Sequence, residues 1–141
     1  MNPFSSLREY EAYIYVLPER FPSILSSTLV AIRRSSTVII LKDEVTFAAA
    51  IRLSLVEYVT FHESPGFILG YSYEVWRSAT KLYWYDSQAH PNNPALAVTH
   101  PHHKHVPPDI KHNRILAPGL SFTQPNLPFL ITAIEQTLLV G

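Results

Sequence analysis

Six of the seven histidines in this chain lie between His90 and His112, and four of them fall in "HPHHKH", His100–His105. Imidazole titrates near neutral pH, so two rings in reach of one substrate can act as base and acid in one reaction. Lys104 sits within the run. "IKHNR" follows it with Lys111, His112 and Arg114, and such cations stabilise negative charge developing on phosphate. Metal-independent cleavage of RNA uses this set of groups. A base takes the 2′-hydroxyl proton, an acid protonates the leaving oxygen, and cations hold the phosphorane. On this reading His102 and His105 are base and acid, His103 and His100 are their substitutes, and Lys104 is the catalytic cation. Substrate contacts are assigned to Tyr85, Asp86, His90, Lys111, His112 and Arg114. The run "YWYD" leads into this region, and the rings of Tyr83, Trp84 and Tyr85 can stack on bases.

Imidazole is also the commonest metal-binding side chain, with Asp86, His90 and Asp109 available to complete a shell. On a strand, His100 and His102 would share one face, and His103 and His105 the other. The spacing matches no established metal motif. The neighbours are cations rather than cysteines or clustered acids, so the expectation is phosphate chemistry with no metal and no cofactor. The alternative is a non-catalytic, His-rich metal-binding or protein-interaction module. Plainer roles compete for single residues: solvated loop positions for the histidines, a turn for Asp86, exposed surface for Arg33 and Arg34, and the core for Trp84.

The elements that must position these groups follow from pattern. Leu7, Tyr10, Ile14 and Leu17 recur at helical spacing. Ser6 with Glu9 reads as a capping box, and Pro18 stops the pattern, which gives a helix over 6–17. Period-two runs follow at 27–34, 37–48, 51–61, 67–77 and 80–86, joined by short connections that imply antiparallel hairpins. One face gathers Ile39, Leu41, Val45 and Phe47; the next strand adds Ile51, Leu53, Leu55, Val59 and Phe61; the third adds Phe67, Leu69, Tyr71, Tyr73 and Val75. Ala49-Ala50 is a weak point, because a tight hairpin favours Asn-Gly or Asp-Gly there. A bent, continuous strand is the other option. No proline occurs between 23 and 64, whereas eight occur between 89 and 128. The segment 87–125 therefore reads as a long Pro/His-rich loop, anchored by Ile110, Ile115, Leu116, Leu120 and Phe122. A second helix over 127–139 has Asn126 as N-cap and Pro128 in its first turn. The expected fold is α+β in a single domain over 1–141: an antiparallel meander of about five strands across 27–86, with both helices on one face.

Composition bounds the function classes. The chain has 141 residues, 47% hydrophobic, and its eleven acids balance eleven Lys and Arg, so net charge does not steer it to nucleic acid or membrane. After Asp86 the balance turns basic, with Lys104, Lys111 and Arg114 against Asp109 and Glu135. There is no cysteine, which excludes disulfides and thiolate metal sites. The N-terminus lacks the basic and apolar regions of a signal peptide, and no run approaches the roughly 20 apolar residues of a membrane span. A cytoplasmic location is expected. An exposed meander edge leaves room for a homodimer.

The stretch "YSYEVWR…KLYWYDSQAHPNNPALAVTHPHHKHVPPDIKHNR…APGLSFTQPNLPFLI" resembles the TumE-like family of bacterial and archaeal proteins. The resemblance covers about residues 66–135 and is looser in the N-terminal third. It rests on Tyr85, Asp86, His90, Pro91, Pro101, His102, His103, Lys104 and His105. It implies a small toxin of a type II toxin–antitoxin system, neutralised by a cognate antitoxin protein, with RNA cleavage or other interference with translation as its activity.

Overall fold

The computed structural model describes residues 2–87, 102–109, 114–117 and 119–140. His90, His100, Lys111 and His112 lie outside them, as do Pro91 and Pro101, and of Arg114 only the backbone is described.

Helix α1, Leu7–Tyr15, begins as its sequence requires: the Ser6 hydroxyl accepts from the Glu9 amide at 3.1 Å. It ends two residues earlier than expected. Val16 leaves the helical region, and Pro18 opens a new turn instead of closing the old one. It stands in the first turn of α2, Leu17–Arg20, where its missing N–H forfeits no hydrogen bond.

The sheet is antiparallel and larger than five strands. Its strands are β1 (Ser26–Ser27), β2 (Val30–Arg33), β3 (Val38–Thr46), β4 (Ile51–Thr60), β5 (Phe67–Arg77), β6 (Thr80–Asp86), β7 (His103–His105) and β8 (Arg114–Leu116). Their order is β1-β3-β4-β5-β6-β7-β8, with β2 also on β3. The expected strand over 27–34 is thus two pieces on one edge of β3. They are split where Asp43 adopts φ 104° and takes a 2.6 Å hydrogen bond from the Thr28 hydroxyl. The expected loop over 87–125 contains β7 and β8, so part of the His-rich run is sheet. Helix α3, Leu127–Thr137, closes the chain.

At the β3–β4 connection the chain does turn tightly. Ala49 and Ala50 take φ of 60° and 59°, and the Phe47 amide donates to the Ile51 carbonyl at 2.8 Å. The helices cover one face of the sheet, and the core lies between, with Leu53, Tyr73, Leu41 and Ile39 packed against Ile14 and Ile131. The alternation of β5 is interrupted by a bulge opposite Tyr58 and Val59. Ile68 is buried in consequence, while Phe67 and Leu69 are exposed, contrary to the simple period-two pattern.

A polar network enters the core around Glu57. Glu57 shares the inner face of β4 with Leu55 and Val59 and is buried. Its carboxyl accepts from Tyr10 of α1 at 2.7 Å and from Tyr73 of β5 at 2.6 Å. Asn126 donates to the Tyr73 oxygen at 2.9 Å. Asn126 precedes α3 but makes no side-chain cap; its carbonyl oxygen accepts from the Ser121 amide at 2.9 Å. This chain of hydrogen bonds ties both helical ends of the molecule to the sheet. Burial pushes the Glu57 carboxyl above the usual carboxylate range, partly opposed by the two tyrosine donors.

Candidate functional site

The His-rich run is fixed by its pairing. In the β6–β7 ladder Asp86 lies opposite His103, Tyr85 opposite Lys104 and Trp84 opposite His105. On the other side of β7, His103 pairs with Leu116, Lys104 with Ile115 and His105 with Arg114. Side chains alternate along a strand, so the run is divided between the two faces of the sheet.

On the helix-covered face stand His102 and Lys104. The His102 ring stacks on Tyr71 at 5.7 Å and 3°, and Phe122 lies 4.5 Å away at a tilt. Its Nδ1 is 2.5 Å from the Tyr71 hydroxyl, and its carbonyl accepts from the Ala117 amide at 3.2 Å. The tyrosine thereby fixes the orientation of the ring. Lys104 places its ammonium 4.3 Å from the Tyr83 ring centre and 5.3 Å from that of Tyr85. The π-faces support the charge. Burial lowers the Lys104 pKa and pushes that of Tyr83 up to about 12.

On the opposite face Asp86 lies between two buried imidazoles. Its Oδ1 contacts His103 Nε2, and its Oδ2 is 3.1 Å from His105 Nε2. The Trp84 indole N–H donates to Oδ2 at 3.3 Å, and the indole sits 4.2 Å from the His105 ring. His103 and His105 contact each other at 5.2 Å, edge to face. One ligand atom from each of Asp86, His103 and His105 lies within 4.8 Å of the others.

The fold thus gathers Tyr85, Asp86, His102, His103, Lys104 and His105 at one end of the sheet, but it does not put His102 and His105 on the same side. Tyr85 is buried on the helix side, and Trp84, expected in the core, is half-buried on the opposite face. The register explains the exchange: Tyr83 and Tyr85 lie opposite the core residues Val75 and Tyr73. The site residue Tyr71 and the core residue Glu57 were not singled out from the sequence. Tyr71 read as core and also orients His102. For Glu57 the available signal was its position in an otherwise apolar strand face, between Leu55 and Val59.

No helix among the described residues is long and apolar enough to cross a membrane. In comparison with known proteins, the family model of Toxin TumE matches residues 14–138. The match extends well into the N-terminal third, where the resemblance carried by the quoted motifs is looser. No curated protein and no solved structure matches.

Proposed function

The chain belongs to the TumE toxin family, and from that premise we propose that it is the toxin of a type II toxin–antitoxin pair and acts as a metal-independent endoribonuclease. The supporting observation is the convergence of His102, Lys104 and Tyr85 on one side of the β6–β7 ladder, with Tyr71 holding the His102 ring at 2.5 Å. His102 is the proton carrier. It accepts the 2′-hydroxyl proton while the 2′-oxygen forms its bond to phosphorus. The P–O5′ bond breaks, the proton passes from the imidazolium to the leaving 5′-oxygen, and a 2′,3′-cyclic phosphate remains. Lys104 neutralises the charge on the phosphorane. Because His105 faces the other side of the strand, both proton roles fall to His102. Lys111, His112, Arg114 and His90 are the phosphate contacts in this reading, and the partner that silences the protein is its cognate antitoxin.

Expression in cells tests this. The chain alone should arrest growth and leave cleaved RNA, and His102→Gln should lower the cleavage rate by roughly 10²–10⁴-fold. Growth arrest with intact RNA, or full toxicity of His102→Gln, contradicts the nuclease reading. A second reading, the His-rich metal-binding module, is favoured by the arrangement of Asp86, His103 and His105 on the opposite face.

A further inference from the structure

We infer that Asp86, His103 and His105 form a binding site for one divalent transition-metal ion, with zinc the best-matched metal. The inference goes beyond the nuclease reading and concerns the other face of β7. Three observations carry it. First, the strand places His103 and His105 two residues apart, hence on one face, and the ladder sets the Asp86 carboxylate directly opposite His103. Both Nε2 atoms address that carboxylate, one on each oxygen. Second, the spacing suits a metal. Ligands about 2.0–2.2 Å from a tetrahedral ion stand roughly 3.3 Å apart, and the three donor atoms here all lie within 4.8 Å of one another, with His105 Nε2 and Asp86 Oδ2 at 3.1 Å. Third, the carboxylate has an outer partner, the Trp84 indole N–H at 3.3 Å, of the kind that orients ligands in metal sites.

The donor set selects the class of ion. Two imidazoles and one carboxylate suit zinc and its first-row neighbours, whereas magnesium and calcium require mostly oxygen. The two histidine side chains are 0% and 2% exposed, while that of Asp86 is 19% exposed, so solvent reaches the group chiefly at the carboxylate. The ion clamps β7 onto β6. Its role is bracing: the β6–β7 ladder itself presents His102 and Lys104 on the opposite face, so the proposed RNA chemistry neither passes through the metal nor needs it.

The test uses the full chain without a histidine tag, stripped by a chelator and titrated calorimetrically with Zn²⁺ alone. One Zn²⁺ should bind per chain at this site and raise the melting temperature, and Mg²⁺ at the same concentration should do neither. Trp84→Phe should weaken binding by roughly 10–100-fold, the usual cost of losing an outer partner, and Asp86→Asn and His103→Gln by more than that. His102→Gln, on the other face, should bind as the parent does. Should His103→Gln fail to fold, Asp86→Asn, which keeps the side-chain shape, and the visible spectrum of the parent loaded with Co²⁺ decide. No Zn²⁺ binding by the parent overturns the inference. So does binding that survives Asp86→Asn, or a cobalt spectrum typical of an octahedral aqueous ion. None of these readouts involves RNA, so a failed nuclease assay leaves them interpretable, and the reverse holds too.

Discussion

Tyr13 of α1 and Glu57 of β4 show how single polar groups shape this core. The Tyr13 hydroxyl is buried with no hydrogen-bond partner among the described residues. An unsatisfied buried donor is costly, so Tyr13→Phe should stabilise the protein by about 1 kcal/mol, read as an upward shift of the urea midpoint. Glu57 carries a pH signature. Burial raises its folded pKa above the unfolded value, so the folded chain keeps that proton to a higher pH than the unfolded chain does. Its contribution to stability is complete below the ordinary carboxylate pKa and is lost as pH rises through the raised one. Unfolding free energy should therefore fall across that window in the parent. Glu57→Gln should flatten the slope; an unchanged slope in that variant would assign the pH dependence to another group. His102 is the residue on which function is staked, and Tyr71 is its positioning partner. Tyr71→Phe should lower the cleavage rate while the remaining stack of rings preserves the fold.

At the scale of elements, the hairpins were legible and their details were not. Period-two patterning located β3 to β6, because an antiparallel sheet with one covered face imprints strict alternation. It could not reveal the bulge at Tyr58/Val59, which shifts the faces of β5. Nor could it separate β1 from β2, since that break depends on the left-handed conformation of Asp43. Strands β7 and β8 stayed hidden for a different reason. Each has three residues, in a run rich in proline and histidine, and what makes them strands is pairing, of β7 on the edge of β6 and of β8 on β7, rather than their own propensity. The β3–β4 turn offers a direct energetic test. Ala49 and Ala50 both occupy the left-handed region, which costs a non-glycine residue about 1–2 kcal/mol each. Replacing them with Asn-Gly, the preferred pair for such a turn, should raise stability by about 1–2 kcal/mol in chemical denaturation. A loss of stability would mean that the turn is not the tight form described.

Taken as a whole, the molecule is a sheet with a helical layer on one face and a histidine strand near one end that presents different chemistry to each side. Family membership and the α+β meander could both be read from the sequence, the first from "YWYD" and "PHHKH", the second from alternation. The division of the histidines could not, because residue types do not report which face of a strand they occupy until its register is known. That division separates two groupings that the sequence merges: His102 and Lys104, to which we assign the proposed proton transfer and phosphate binding, and Asp86, His103 and His105. A core substitution provides the reference for stability. Leu53→Ala should cost about 2–5 kcal/mol, whereas His102→Gln should leave the melting temperature near that of the parent and remove activity. The most direct test of the account is cleavage of a defined RNA by the purified chain in the presence of a chelator, compared with the same RNA carrying a 2′-deoxy nucleotide at the cut site. The all-ribose strand should be cleaved to a 2′,3′-cyclic phosphate and the deoxy strand protected. Equal cleavage of both strands, or intact RNA from a preparation that still arrests growth, would contradict the nuclease reading.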